Sequence, residues 1–341
     1  MGTKIWMIVF PLAGQSVGMA RWIENAGWDG LAVADTQNLA GDPYSALSLA
    51  AHNTSQIGLG TATTNATTRH PAVTASAITT VQVESRGRAV LGIGRGDSSL
   101  AYLGRKPASL VQFKTYLQQV QGYLRGEEVS IDGYASRMEW VTQTGLPKVP
   151  VDVAATGPKV IEIGAQFADW VTLSVGAQPE RLRWGMETAH QARLRAGLDP
   201  AGLSLGAYVN VVAHPNRARA RELARGWVSS FARFSGMLKG EAMESLAPEG
   251  RSVVTQISEQ YNMSYHGHQA GEHTAALTDD FIDSFAIAGP SSYCVERLQE
   301  LMALGFERLV IVGPGRGTDP TEMKQIMLRF SKEVLPGLRS L

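Results

Sequence analysis

Cysteine is nearly absent, with Cys294 alone in 341 residues. A single thiol excludes an intrachain disulfide or a cysteine zinc site, and it suits a reducing cytoplasm. An excess of one charge is also lacking, since 31 Lys and Arg balance 31 Asp and Glu. Zero net charge gives no electrostatic reason to expect nucleic acid or an anionic membrane as partner. No apolar run approaches the ~18 residues that span a bilayer. The short run at 5–10 has no small-residue cleavage pattern and leads straight into a helix. It reads as a first strand rather than a secretory leader. Interdomain linkers and low-complexity tracts are missing, so one domain over 1–341 is expected.

What is present is repetition. Short apolar runs at 5–10, 31–34, 57–62, 89–93, 151–155, 170–175, 205–212 and 309–312 alternate with amphipathic helical stretches. The runs are β-branched and do not alternate cleanly, as strands covered on both faces should read. Eight β-then-α units predict an α/β fold, a closed (β/α)8 TIM barrel. Asp42 before Pro43 reads as a helix N-cap. The rhythm breaks twice. After helix 4, residues 126–140 read as a hairpin with Asp132-Gly133 at its turn. Before strand 8, residues 227–280 hold helical pieces and no strand.

In such a barrel the loops that follow the strands form the ligand face. Strand two ends at Asp35. Strand three ends in Thr61-Ala62-Thr63-Thr64-Asn65-Ala66-Thr67-Thr68-Arg69-His70-Pro71. Its hydroxyls and amide supply many hydrogen-bonding groups, and its small side chains let backbone approach a flat ring. The plain alternative is a polar loop with a helix cap. Strand four ends in Gly92-Ile93-Gly94-Arg95-Gly96-Asp97-Ser98-Ser99, whose spacing is wrong for a dinucleotide fingerprint. Alone it reads equally as a glycine turn capped by Asp97. After strand five, Thr156-Gly157-Pro158-Lys159 opens a helix with the amides of Gly157, Lys159 and Val160 outward, a natural phosphate site. A threonine-capped helix is the alternative. Gly176 and Ala177 form the next wall, and the 313–317 loop ranks second for phosphate.

His266, His268 and His273 form the one histidine cluster. No carboxylate stands at a defined spacing from it, so a substrate-facing loop is preferred over a metal site, and no metal is expected. Cys294 reads as packing within a helix. The tryptophans Trp22, Trp28, Trp170, Trp184 and Trp227 are spaced like core residues.

Residues 64–71 resemble the Thr-Asn-Pro-x-Thr-Arg-His-Pro pattern of the luciferase-like flavin and deazaflavin oxidoreductases. The resemblance is to the F420-dependent branch that contains methylenetetrahydromethanopterin reductase. Ala66 departs from that pattern, where the branch has proline. Residues 92–98 stand where the branch carries Gly-Ile-Gly-x-Gly-Asp-Ser. The resemblance implies hydride transfer between coenzyme F420 and a small organic substrate, with Asp35 and Asp97 catalytic. It implies cofactor contacts at Asp35, Ala62, Thr63, Thr64, Asn65, Thr156, Gly157, Pro158, Lys159, Gly176 and Ala177. His266 and His268 would face the substrate, the Ala62–Thr63 peptide would be cis, and a cytoplasmic homodimer is expected. Thr36 stands where some F420-dependent sugar dehydrogenases have histidine, which argues against carrying over their chemistry. Two alternatives stay open: an FMN-dependent monooxygenase, and a flavin-binding protein without catalysis.

Overall fold

The computed structural model describes residues 2–339. Eight parallel strands close on themselves: β1 (Lys4–Val9), β2 (Gly30–Val33), β3 (Gly58–Thr61), β4 (Ala89–Gly94), β5 (Val151–Ala155), β6 (Trp170–Leu173), β7 (Ser204–Ala213) and β8 (Arg308–Val312). Each pairs with the next in sequence, and β8 returns to β1 with Lys4 opposite Arg308. The expected barrel is present. Beyond β3 the chain breaks, then rejoins the sheet at Thr64–Asn65, opposite Ile93 and Gly94 of β4. The Ala62–Thr63 peptide between them is cis, as the resemblance implies.

Within the lower barrel, one large ring packs with Ala32, Val90, Tyr208 and Val310 beside one ion pair. Trp6 points inward against Gly30 and Gly58, where an added Cβ would stand 2.1 and 2.4 Å from indole carbons. Only glycines leave the indole that space. Next to it, Arg308 reaches Asp152 at 3.1 Å and Thr172 Oγ1 at 2.8 Å, and its guanidinium lies 4.2 Å from the Trp170 ring centre. Thr172 also bonds Asp152, so the buried pair is held by a third polar group and an aromatic face, which helps such a pair to be tolerated.

Local signals in the sequence act as read. Asp42 accepts a bond from the Ser45 amide and opens helix Pro43–Asn53. A cap that the sequence reading passed over joins it, as Ser109 and Gln112 form a reciprocal capping box for helix Leu110–Leu124. Strands Val129–Ile131 and Tyr134–Ser136 make the hairpin, with φ of 52° at Asp132 and 80° at Gly133, a two-residue turn that matches strand twist.

Between β7 and β8 lie helices Arg217–Gly236, Pro248–Gln260 and Asp279–Phe285. A short strand follows, Ile287–Gly289, pairing with the end of β7; no sequence signal marked it. Cys294 is buried under that strand, its thiol bonded to the Gly289 carbonyl and pushed up to about 12 by burial. That is packing, as read. No helix among the described residues is long and apolar enough to cross a membrane.

Candidate active site

A cavity of about 1160 Å³ opens at the C-terminal end of the strands. Its walls come from the loops after β1 to β6 and β8, and helix Arg217–Gly236 lies across it. That helix presents Trp227, Ser230, Phe231 and Phe234 to the cavity, at positions i, i+3, i+4 and i+7 of one face. Trp227 stacks on Phe10 with ring centres 5.3 Å apart, and its indole N–H donates to the Pro314 carbonyl. The sequence reading placed Trp227 in the core. It is buried, as read, and it also walls the cavity, because its helix packs the opposite face on Pro248–Gln260 and turns the aromatic one inward.

Asp35 lines the cavity with its side chain only 2% exposed. Its Oδ2 accepts from Thr64 Oγ1 at 2.7 Å and from Arg69 at 2.5 Å, while Arg69 also reaches Asp42 at 2.9 Å. Asn65 accepts the amides of Thr67 and Thr68 and donates to Ser99 Oγ. His70 caps helix Pro71–Glu84 through Nδ1. The Thr-Asn-x-x-Thr-Arg-His-Pro pattern is therefore largely a device that folds this wall and holds Asp35. Thr64 and Asn65 turn their side chains into it, and Ala62 and Thr63 are the residues that face the cavity.

Asp97 does not cap the short helix that follows it. Its Oδ1 accepts from Arg233 at 2.6 Å, across the cavity mouth. Its Oδ2 is buried without a hydrogen-bond partner, 3.9 Å from His266 Nδ1. His266 Nδ1 is also 2.8 Å from the Tyr261 hydroxyl, which in turn bonds Ser230 Oγ at 2.7 Å. Burial lowers His266 to about 4 against the opposing pull of Asp97, so its ring is neutral at neutral pH. Burial likewise raises Tyr261 to about 12. The result is a carboxylate with one free oxygen beside an uncharged imidazole, both on an aromatic-walled cavity.

The remaining expected residues divide. Thr156 and Gly157 line the cavity at the start of helix Pro158–Phe167, and Lys159 stands exposed on its first turn. The amides of Gly157 and Lys159 have no partner among the described residues. The Val160 amide, expected to be free, bonds the Gly157 carbonyl, because the first helical turn closes one residue early. Gly176 and Ala177 lie behind the wall rather than on it: the Ala177 amide bonds Phe285, and Gly176 packs on the Phe285 ring. His268 points away, against Gly317 and Tyr265, and His273 bonds Ser229. The 313–317 loop spends its Gly315 and Arg316 amides on Leu223 and Gly267, which leaves them no anion to hold. Sequence reasoning missed Arg233 and Phe231. The signal for them was the aromatic face of the helix, which reads like any core face.

A family model described as luciferase-like monooxygenase matches residues 12–308. The 5,10-methylenetetrahydromethanopterin reductase of Archaeoglobus fulgidus is 28% identical over 323 residues, 93% of each chain. The F420-dependent glucose-6-phosphate dehydrogenase of Beutenbergia cavernae is 25% identical over 337 residues, 93% of this chain and 91% of its own. Among solved structures, the coenzyme F420-dependent tetrahydromethanopterin reductase of Methanopyrus kandleri superposes with a TM-score of 0.75. It covers 99% of this chain and 100% of its own at 21% identity.

Proposed function

Because the chain belongs to the luciferase-like monooxygenase family, we propose that it is an F420-dependent oxidoreductase working at the barrel mouth. The observation that carries the reading is the Asp97–Arg233–His266 group, which lines one cavity together with the Ala62–Thr63 turn. Full-length likeness to F420-dependent relatives supports the choice of cofactor.

The residues present fit that group. The turn at Ala62 and Thr63 offers backbone and small side chains, suited to the face of a flat tricyclic ring. The unpartnered amides of Gly157 and Lys159 stand at a helix N-terminus, where the dipole and the lysine favour a phosphoryl group. When bound, the deazaflavin supplies hydride transfer at its ring carbon. Asp35, fixed by Thr64 and Arg69, orients the polar edge of the ring. Asp97 Oδ2 is the group that moves a proton at the reacting centre, and Arg233 holds the other oxygen so that Oδ2 keeps its aim. His266 offers a neutral ring to a substrate oxygen or nitrogen. Trp227, Phe231 and Phe10 exclude water above them, which strengthens each of these polar interactions.

Titration of the apoprotein with F420 and FMN in parallel tests the reading. Tight F420 binding is expected, with Lys159→Glu weakening it more than tenfold, since repulsion replaces attraction beside a phosphoryl group. Preference for FMN with oxygen-dependent turnover would make the chain a monooxygenase. Binding without turnover across a broad substrate panel would make it a flavin-binding protein.

A further inference from the structure

The cavity does not stop at the barrel wall. Ile8 and Val312 line it from the inner face of β1 and β8, whereas Met7, Val9 and Ile311 line it from the outer face of the same strands. Successive residues of a strand point to opposite sides. A space touching both sides must therefore pass over the strand ends, from the mouth into the layer between sheet and helices. There it runs between helix Ser16–Asn25 and helix Pro320–Arg329.

The walls of this branch are Gly18, Met19 and Trp22 on the first helix and Met323 and Met327 on the second. Its floor is the stacked pair Trp28 and Phe330, ring centres 4.8 Å apart. Polar groups are confined to the rim, where Gln15 and Lys324 stand. From Pro320 to Met327 the second helix advances about 10 Å, so the branch has room for roughly eight methylenes. Methionines suit an unbranched guest because their side chains repack at low cost. Leu12 and Met19, 50% and 38% exposed, leave its outer edge apolar.

Resting on the oxidoreductase reading above, we infer that the substrate is an amphiphile. Its reacting head sits at the mouth beside Asp97, and an unbranched apolar tail of about eight carbons occupies the branch between the first and last barrel helices. Continuity with the reaction cavity singles out a substrate tail over other occupants. A second copy of this chain seated on the outer edge would reach neither the inner face of β8 nor Trp28.

A homologous series of 2-alkanones from four to fourteen carbons tests this, with binding read from tryptophan fluorescence, since Trp22 and Trp28 line the branch. Affinity is expected to rise about fourfold per methylene and to level off near ten to twelve carbons. Gly18→Leu adds a side chain on the wall of the branch, where a Cβ meets nothing within 4 Å, and the helix gains a better former. It should weaken decanone and longer members at least tenfold and leave butanone unchanged. F420 affinity, measured on both proteins, should not move, so loss of cofactor binding with the chain-length series intact would fail the cofactor reading alone. Affinity independent of chain length, or equal loss for butanone and decanone in Gly18→Leu, would overturn the inference. So would a Gly18→Leu variant that changes oligomeric state by light scattering, which would make the branch a subunit contact.

Discussion

Asp97 and Arg233 meet at 2.6 Å across the cavity mouth, although 136 residues separate them in the chain. One belongs to the loop after β4 and the other to the helix that roofs the cavity. Their side chains are 20% and 19% exposed, so removing either leaves the other poorly solvated. A double-mutant cycle of Asp97→Asn and Arg233→Met, read by urea unfolding, should give a coupling of about 1–3 kcal/mol. Coupling within about 0.3 kcal/mol of zero would show that the pair does not fasten the roof.

The same carboxylate separates catalysis from stability. Asp97→Asn keeps the shape and the bond from Arg233 but removes the titrating oxygen. Turnover should fall on the order of a hundredfold, while F420 affinity stays within about threefold. An Asn variant that turns over at the parental rate would leave Asp97 a structural residue of the mouth.

Burial of His266 gives stability a pH dependence. Its folded value of about 4 lies below the ordinary 6.5, so the unfolded chain takes up the proton first as pH falls. The contribution is complete above pH 6.5 and is lost progressively as pH drops toward 4. It amounts to on the order of 1–3 kcal/mol. Unfolding free energies measured from pH 7 to pH 4 should show this slope, reduced in His266→Gln. A variant whose slope matches the parent would remove His266 as its source. His273, also lowered by burial, adds in the same direction and is common to both proteins.

The barrel was legible because its strands read as buried apolar runs and its helices announce their ends. Asp42 and the Asp132-Gly133 turn act through local chemistry that sequence displays directly. The loop after β3 was legible as unusual, but its division of labour was not. Which side chains face the cavity depends on the break between β3 and Thr64–Asn65, which swings Thr64 onto Asp35 and Asn65 onto Ser99. Arg233 was invisible for a different reason. Its partner is remote in sequence, and a helix with one aromatic face predicts burial without saying against what. The strand Ile287–Gly289 is three residues long, too short for any periodicity to register.

The central claim is hydride transfer to or from a deazaflavin in this cavity. The most direct measurement is an anaerobic single turnover with reduced F420 deuterated at its ring carbon, against a panel of ketones and cyclic imines. The account predicts one deuterium carried into the product, with the same rate when oxygen is admitted. Turnover that requires oxygen, or a product free of label, would contradict it.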